Sequence, residues 1–313
     1  MRAVILNAFT GFDGVTVAEV PDPTPGDGEV LIRVEAAGVG AWDAKTPWGV
    51  FAAAGGNPSF PQILGWDVAG TVEAGDAAGR WHPRDRVLGF VHQPWSKMGS
   101  FAERMVIPAD RLAPRPAGLD PAVAGATPVV SLTADLAVRT AVTGPGTTVL
   151  VLGAAGSVGS LVVQLATAAG ARVIASIRPE QAETVRALGA TDVVDRSASV
   201  PEQVAAIVPG GVDAVIDLVG PQAWKPAVKA VRRGGRFAST VSQEMPEQSL
   251  GLTSAYLWVP NDVDRLAALA ERVASGALRV RVAEALPLTA GPDALRRAGE
   301  GKLDGRLVLS PGA

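Results

Sequence analysis

Three glycines stand in a short loop that joins a run of small apolar residues to the start of a helical pattern. The stretch VLVLGAAGSVGS occupies residues 149–160, and its glycines are Gly153, Gly156 and Gly159. The last two match the second and third glycines of a G-x-G-x-x-G motif, with Ala154 in the place of the first. Such glycines permit a tight turn, let the backbone approach a pyrophosphate and let the helix pack on the strand, while the helix N-terminus faces the phosphates. The loop therefore predicts a dinucleotide site; the alternative is a turn that packs helix on sheet without a ligand.

The end of the next strand-like run bears on which dinucleotide binds. NAD-dependent sites place Asp or Glu there, about 20 residues after the glycines, to bind the ribose 2′-hydroxyl. Here the run ends in Ser176, Ile177 and Arg178, and no carboxylate occurs before Glu180, which follows a proline. Ser176 can donate a hydrogen bond to a 2′-phosphate, and Arg178 can pair with it through two N–H groups. We therefore expect NADPH as the cofactor; the alternatives are NAD and a solvated Arg178 at a helix start.

Composition and charge exclude several classes of protein. The chain has 313 residues, of which 48% are hydrophobic and 19% charged, and a net charge of −3. Without a basic surplus there is no reason to expect nucleic acid or an anionic membrane surface as a partner. The absence of cysteine excludes disulfides, thiolate catalysis and cysteine-ligated metals. No signal-peptide pattern opens the chain, so we expect a cytoplasmic protein. We interpret the uncharged stretch between Arg139 and Arg172 as a strand plus a buried helix and not as a membrane span.

The hydrophobic pattern divides the chain into two domains. Residues 1–115 hold short β-like runs separated by turn-forming residues, which is typical of a mostly antiparallel β domain. Strand and helix patterns then alternate, which predicts a doubly wound parallel sheet; two of the predicted helices cover residues 120–141 and 221–235. After residue 260 an amphipathic helix precedes strands that suit the first domain better. The predicted fold is α/β, with a discontinuous β domain of residues 1–120 and 261–313 and an inserted dinucleotide-binding domain of residues 121–260.

Seven motifs carry a resemblance that covers nearly the whole chain. They are AAGVGAWDAK (36–45), PQILGWDVAGTV (61–72), RDRVLG (84–89), GSFAERMVIPADRLAPRP (99–116), SLTA (131–134), GAAGSVGS (153–160) and DGRLVL (304–309). Together they resemble the medium-chain dehydrogenase/reductase superfamily, specifically its zinc-independent quinone oxidoreductase (zeta-crystallin-like) branch. The resemblance implies a GroES-like catalytic β domain, a Rossmann NADP-binding domain and a cofactor cleft between them that holds NADPH.

Departures from the family pattern bear on the chemistry. Zinc-dependent members carry cysteine where this chain has Gly40, and His-Glu where it has Trp66 and Asp67. A tetrahedral zinc site cannot be built from Asp43, Asp67 and backbone, so we expect no metal. The branch often has asparagine at the place of Gly40, and Lys45 stands at or near the place of a tyrosine found in quinone reductases. The resemblance therefore leaves specificity for quinones open.

The resemblance and the predicted strand ends give the candidate site residues. For catalysis they are Asp43 and Thr133; the alternatives are a cap carboxylate and a helix residue that bonds to backbone. For the cofactor they are Gly153, Gly156, Ser157, Val158, Gly159, Ser176, Arg178, Arg196, Val219, Thr240 and Val241, because the carboxyl ends of parallel strands line a nucleotide crevice. For an apolar substrate pocket they are Trp42, Trp48, Phe51, Trp66 and His92, with core packing as the alternative; Trp95 is another aromatic residue of the same domain.

The expected function follows from these residues. Without a Lewis acid, hydride transfer suits acceptors whose conjugation spreads the incoming charge. We therefore expect an NADPH-dependent oxidoreductase of quinones or α,β-unsaturated carbonyls. One alternative is a biosynthetic enoyl or ketone reductase, and another is a low-turnover NADPH-binding sensor or structural protein. We expect a small apolar electrophile as substrate, no nucleic acid or membrane partner, and a homodimer formed through the edge strand that carries Tyr256.

Overall fold

A computed structural model describes residues 1–52, 59–92 and 98–312 of the chain. The strands are β1 (Arg2–Leu6), β2 (Val15–Glu19), β3 (Glu29–Val39), β4 (Gln62–Ile63), β5 (Asp67–Ala74), β6 (Arg86–Phe90), β7 (Arg104–Pro108), β8 (Leu112–Pro114), β9 (Thr148–Leu152), β10 (Arg172–Ile177), β11 (Asp192–Asp195), β12 (Val212–Asp217), β13 (Val231–Ser239), β14 (Thr253–Tyr256), β15 (Val282–Pro287) and β16 (Arg306–Ser310). The helices are α1 (Ala41–Lys45), α2 (Pro121–Gly125), α3 (Pro128–Thr140), α4 (Ser157–Ala168), α5 (Ala182–Ala187), α6 (Val200–Ile207), α7 (Pro221–Ala227), α8 (Val263–Ala274) and α9 (Gly291–Glu300).

One compact unit comprises Met1–Val129 and Asn261–Ala313. Its larger sheet has the strand order β15-β16-β3-β5-β6-β8, with β7 also paired to β3, and its smaller sheet has the order β2-β1-β4. Pairing is antiparallel except between β15 and β16. Every second residue of the first half of β3 is apolar, so Val30, Ile32 and Val34 share one face and are buried in the core of this unit. Both terminal segments contribute strands to this unit.

The second compact unit, Val130–Pro260, is built on a parallel sheet of strand order β11-β10-β9-β12-β13-β14. In the unit's own count this is the 3-2-1-4-5-6 order of the doubly wound Rossmann arrangement, in which ligands bind at the carboxyl ends of the strands beside the point of reversal. Both faces of the sheet are covered, since the consecutive residues Val149, Leu150 and Val151 of β9 are all fully buried. The predicted α/β fold is thereby confirmed.

Two of the predicted helices differ from those in the structure. The pattern over 120–141 forms two helices, because α2 ends at Gly125 and α3 begins at Pro128. The pattern over 221–235 is helical only at its start. Val231 already pairs with Val212 at the beginning of β13, so the competing strand pairing outweighs the helical periodicity there.

The division between the two units falls at Val129, whereas the sequence pattern places it at residue 120. The short helix α2 packs on β3 of the first unit. A Cβ atom on Gly125 would lie 2.7 Å from the carbonyl oxygen of Ala36, which shows how closely the two backbones approach. Asp120 caps this helix by accepting hydrogen bonds from the N–H groups of Ala122 and Val123.

The uncharged stretch after Arg139 forms β9 and α4 of the parallel unit, as interpreted from the sequence. In the described part of the chain, no helix is both long enough and apolar enough to cross a bilayer.

Candidate functional site

The glycine loop connects β9 to α4 in the second unit. Gly153 adopts φ +78°, a conformation that favours glycine, and the N–H of Gly156 donates to its carbonyl oxygen at 3.0 Å. A Cβ atom on Gly159 would lie 2.1 Å from the same oxygen, so α4 packs directly on the turn. The nearest atom to a Cβ on exposed Gly156 would be 3.3 Å away, which leaves its outer face open. Gly153 therefore makes the tight turn one residue before Ala154, which holds the first place of the motif, while Gly156 and Gly159 occupy the second and third places.

The first turn of α4 follows the glycine loop directly. Ser157 and Val158 are its first two residues and are half-buried. The N–H groups at the start of a helix have no partner inside the helix and form a favourable site for an anion. The loop thus fits the pyrophosphate of a dinucleotide through backbone groups.

The end of β10 holds an ion pair that the sequence pattern does not reveal. The Nε atom of Arg178 lies 3.0 Å from the Oε1 atom of Glu180, and both side chains are substantially exposed. Ser176, by contrast, is 3% exposed within the sheet. Of the two residues predicted to bind a 2′-phosphate, Arg178 is therefore the more accessible, and it already pairs with Glu180. Ser176 is thus less accessible than its place at the end of β10 predicts.

A hydrogen-bond network that the sequence analysis missed joins the carboxyl ends of β12 and β13. Buried Asp217 accepts hydrogen bonds from the N–H groups of Val219 (3.0 Å) and Gly220 (2.9 Å) and from the hydroxyl of Ser239 (2.8 Å). The Ser239 oxygen in turn accepts from the N–H of Val241 at 3.3 Å. Asp217 thus fixes the segments that carry the predicted cofactor residues Val219 and Val241.

Two other predicted cofactor residues also follow strand ends. The N–H of Thr240 donates to the Asp217 carbonyl at 3.2 Å, and the N–H of Arg196 donates to the Ile177 carbonyl at 2.9 Å. The Arg196 side chain is exposed. Thr133 lies in α3 and is 9% exposed.

In the first unit, two carboxyl groups share a buried cluster with one guanidinium group. Asp67 accepts from Nη2 of Arg306 at 2.9 Å and from the N–H of Val129 at 2.6 Å, while Nη1 of Arg306 donates to the Ala126 carbonyl at 2.9 Å. The side chains of Arg306 and Asp67 are 1% and 0% exposed. Arg306 is a residue that the sequence analysis does not single out. Burial raises the pKa of Asp67, and the charge of Arg306 opposes the rise.

Asp43 is the second carboxyl of this cluster. It is 1% exposed, and its Oδ2 atom accepts from the N–H of Gly40 at 2.7 Å. Burial raises the pKa of Asp43 to about 8, the charge of Asp67 adds to the rise, and the N–H of Gly40 opposes it. Asp43 therefore caps α1, and its raised pKa favours the protonated form of the carboxyl at neutral pH.

Substituting Asp43 by asparagine tests this protonation state. Between pH 4 and 8 the folded protein holds a proton that the unfolded chain has released, so stability falls as pH rises, by at most about 1.4 kcal/mol per pH unit. Asp43→Asn keeps an acceptor for Gly40 and cannot titrate. We expect it to flatten the dependence and to be more stable than the wild type at pH 8. Urea unfolding from pH 5 to 9 measures the two slopes, and parallel slopes would contradict the assignment.

The predicted aromatic pocket is only partly assembled. The ring of Trp66 lies 6.3 Å from Trp42, 5.4 Å from Phe51 and 5.4 Å from His92, centroid to centroid. Trp48 does not join them. It packs edge-on against Phe12 at 5.9 Å and is 61% exposed.

The position of Trp48 corrects the predicted pocket, and its cause is helical geometry. Ala41, Ala44, Lys45 and Trp48 line one groove with Arg296, because residues three, four and seven apart share a helix face. Trp42 does not line this groove and lies on another side of α1, whereas Lys45 lines the same groove as Trp48. Trp95 lies outside the described residues.

The side chains at the family's zinc positions do not fit zinc. A Cβ on Gly40 would lie 2.5 Å from the indole of Trp42, so the tryptophan ring takes the space of a side chain at position 40. Neither the Gly40 nor the Trp66 side chain offers a ligand atom for zinc, and the Asp67 carboxylate is paired with Arg306. Among residues 1–52, 59–92 and 98–312, no cluster of three or more His, Cys, Asp or Glu side chains is arranged to hold a metal ion.

Comparisons with known proteins agree with this architecture. Two sequence families match the chain, "Alcohol dehydrogenase GroES-like domain" over residues 26–117 and "Zinc-binding dehydrogenase" over residues 157–262. The chloroplast quinone-oxidoreductase QR1 of Triphysaria versicolor is 29% identical over 337 residues, which cover 99% of this chain and 98% of that protein. The chloroplast NADPH-dependent alkenal/one oxidoreductase of Arabidopsis thaliana is 31% identical over 79% of this chain and 64% of its own length. The structure of the quinone oxidoreductase from Coxiella burnetii superposes with a TM-score of 0.90 at 26% identity and covers 99% of both chains.

A GroES-like unit and a Rossmann unit in one chain define the medium-chain dehydrogenase/reductase class of nicotinamide-dependent oxidoreductases. This chain belongs to that superfamily, and within it to the quinone oxidoreductase branch.

Proposed function

We propose that the protein is an NADPH-dependent reductase that transfers hydride to a quinone or to the conjugated double bond of an α,β-unsaturated carbonyl, without a metal. The observation that carries the proposal is the glycine loop, whose backbone suits a dinucleotide pyrophosphate at the carboxyl end of the first Rossmann strand. Relatives named for quinones and for alkenals and enones support the acceptor class. A cytoplasmic location and a homodimer through edge strand β14, where Tyr256 is 37% exposed, belong to the same proposal.

The residues of this chain bind and orient more than they react. When bound, the nicotinamide supplies a hydride to an acceptor that spreads the charge to its oxygen, and solvent or a ribose hydroxyl returns a proton. The start of α4 holds the pyrophosphate, and the Asp217 network fixes the neighbouring strand ends. Thr133 stays a candidate for contact with the nicotinamide. Asp43 is a positioning residue in this proposal, because its buried carboxyl caps α1 at Gly40.

Turnover with electron-poor acceptors tests the reaction. The purified protein is mixed with NADPH and, separately, a benzoquinone, an alkenal, an enoyl thioester and a simple ketone, and loss of absorbance at the nicotinamide band is followed with product analysis. We expect the quinone or the alkenal to be reduced. Preference for the thioester or ketone would favour a biosynthetic reductase. Binding of NADPH without turnover of any acceptor would favour a sensor. Two features suit that alternative: position 40 carries no side chain, and the Asp43 carboxyl is buried.

Coenzyme choice is predicted to depend on the pair formed by Arg178 and Glu180. Arg178→Gln removes the cation for the 2′-phosphate, so we expect NADPH to bind about tenfold more weakly and NADH to be nearly unaffected. Glu180→Gln removes the competing carboxylate 3.0 Å away and is expected to tighten NADPH several-fold. Fluorescence titrations of each variant with NADPH and with NADH measure the four affinities, which are compared with those of the wild type. Equal loss of NADPH and NADH affinity in Arg178→Gln would place the 2′-phosphate elsewhere.

A further inference from the structure

A row of arginines crosses the larger sheet of the GroES-like unit. Arg33 of β3 pairs in register with Thr71 of β5, and Thr71 pairs with Arg86 of β6. The N–H of Arg115, just after β8, donates to the carbonyl of Arg86 at 2.9 Å. Residues that pair directly across antiparallel strands place their side chains on the same face, where like charges repel. Three guanidinium groups from neighbouring strands therefore share one face of the sheet.

These residues line a groove of about 530 Å³, and Arg84 borders it as a fourth arginine. Arg84 adopts φ +81°, a conformation in which glycine would be less strained, and its N–H donates to the Val72 carbonyl at 2.9 Å. The turn before β6 thus places an arginine at the groove, although the positive φ of Arg84 is a strained backbone conformation for a residue other than glycine.

The acidic groups of the groove are already engaged. Glu35 accepts a hydrogen bond from the Thr71 hydroxyl and one from Nη1 of Arg115 at 2.7 Å, and its Oε1 atom is 3.6 Å from Nη2 of Arg33. The Arg115 side chain is 4% exposed, so this pair is the buried floor of the groove.

The second acidic group of the groove is Asp120, which caps a helix, and two of the four arginines have no acidic partner in the described part of the chain. Asp120 accepts from the N–H groups that begin α2. The exposed side chains of Arg84 and Arg86 form no ion pair with any residue that the structure describes. A surplus of positive charge is therefore concentrated here, in a chain whose net charge is −3.

We propose that this groove binds a small phosphate-bearing anion. Guanidinium groups present paired N–H donors that match phosphate oxygens, and two uncompensated cations match the charge of a phosphate dianion. The volume exceeds that of one phosphate group, so an organic portion has room beside Leu119 and Pro121. The groove residues all belong to the unit without the glycine loop, so the proposal does not depend on the proposed reductase activity.

Calorimetric titration tests the groove directly. Inorganic phosphate and methyl phosphate are titrated at constant ionic strength into the wild type, into Arg84→Gln/Arg86→Gln, and into the charge-matched control Lys229→Gln/Lys302→Gln, whose lysines are exposed and lie outside the groove. We expect both probes to bind the wild type and the control, and to bind the arginine variant about tenfold more weakly. Tighter binding of methyl phosphate would assign an organic phosphate as the occupant, and tighter binding of inorganic phosphate the free ion.

The proposal is overturned if neither probe binds the wild type, or if the arginine variant and the lysine control lose affinity equally. The single variant Arg86→Gln provides the test if the double variant does not fold. We expect its affinity for phosphate to lie between that of the wild type and that of the double variant. Unchanged affinity in a folded Arg86→Gln together with unchanged affinity in the double variant also contradicts the assignment.

Discussion

Replacing Arg306 by methionine is expected to lower the free energy of unfolding by about 3–5 kcal/mol at pH 8. The substitution keeps the apolar stem and removes the guanidinium that pairs with Asp67 at 2.9 Å and donates to the Ala126 carbonyl. Asp67 would then be a buried carboxylate whose remaining partner is the N–H of Val129. Urea denaturation of the wild type and of Arg306→Met gives the difference.

The pH dependence separates this cause from a loss of packing. At pH 6 we expect a smaller loss than at pH 8, because the orphaned Asp67 can take up a proton and avoid burial as a charge. Arg80→Met, at an exposed position of the same unit, is the control and should stay within about 0.5 kcal/mol of the wild type. A loss below about 1 kcal/mol at pH 8 for Arg306→Met would show that the cluster does not stabilise the unit.

Substituting Gly159 by alanine is expected to weaken NADPH binding by about 100-fold or more. The new Cβ would lie 2.1 Å from the carbonyl oxygen of Gly153 and 2.8 Å from Cα of Ala154, and backbone atoms cannot move aside as a flexible side chain can. The start of α4 must therefore shift away from β9, and a displacement of about 1 Å at a binding group can cost this much. Fluorescence titration with NADPH measures the affinity, and thermal unfolding measures the accompanying loss of stability.

Gly156→Ala is the matched control for that experiment. Its Cβ would contact only the Gly153 oxygen, at 3.3 Å, and would otherwise point to the open side of the loop. We expect nearly wild-type thermal stability together with weaker NADPH binding, because the methyl group stands where the pyrophosphate must approach. If Gly156→Ala binds NADPH as the wild type does, the phosphate does not lie on this loop.

The Rossmann unit could be predicted from the sequence because its signals are local. The apolar run before Gly153, the glycine spacing and the alternation of strand and helix patterns each lie within a short stretch, and together they define the sheet. The helix predicted over residues 221–235 was wrong from Val231 onward, because Val231 pairs with Val212 of the neighbouring strand and begins β13. Glu180 was recognised as the nearest carboxylate, but its contact with Arg178 depends on the turn between them.

The GroES-like unit was less predictable because its decisive contacts join distant parts of the chain. Asp67 and Arg306 are 239 positions apart, and nothing in the spacing of either motif indicates that they meet. The arginine row likewise exists only through the register of β3, β5 and β6. Trp48 lies outside the predicted pocket because the face of a short helix decides where each ring points, and membership of the same domain does not reveal that face.

A titration of the wild-type protein with NADPH and with NADH, followed by nicotinamide fluorescence, tests the central claim most directly. Tight binding of NADPH and clearly weaker binding of NADH is the predicted result, because the turn at Gly153 and Gly156 binds the pyrophosphate of both and Arg178 favours the 2′-phosphate of one. Binding of neither coenzyme would contradict the account, since the glycine loop would then serve only to pack α4 on the sheet.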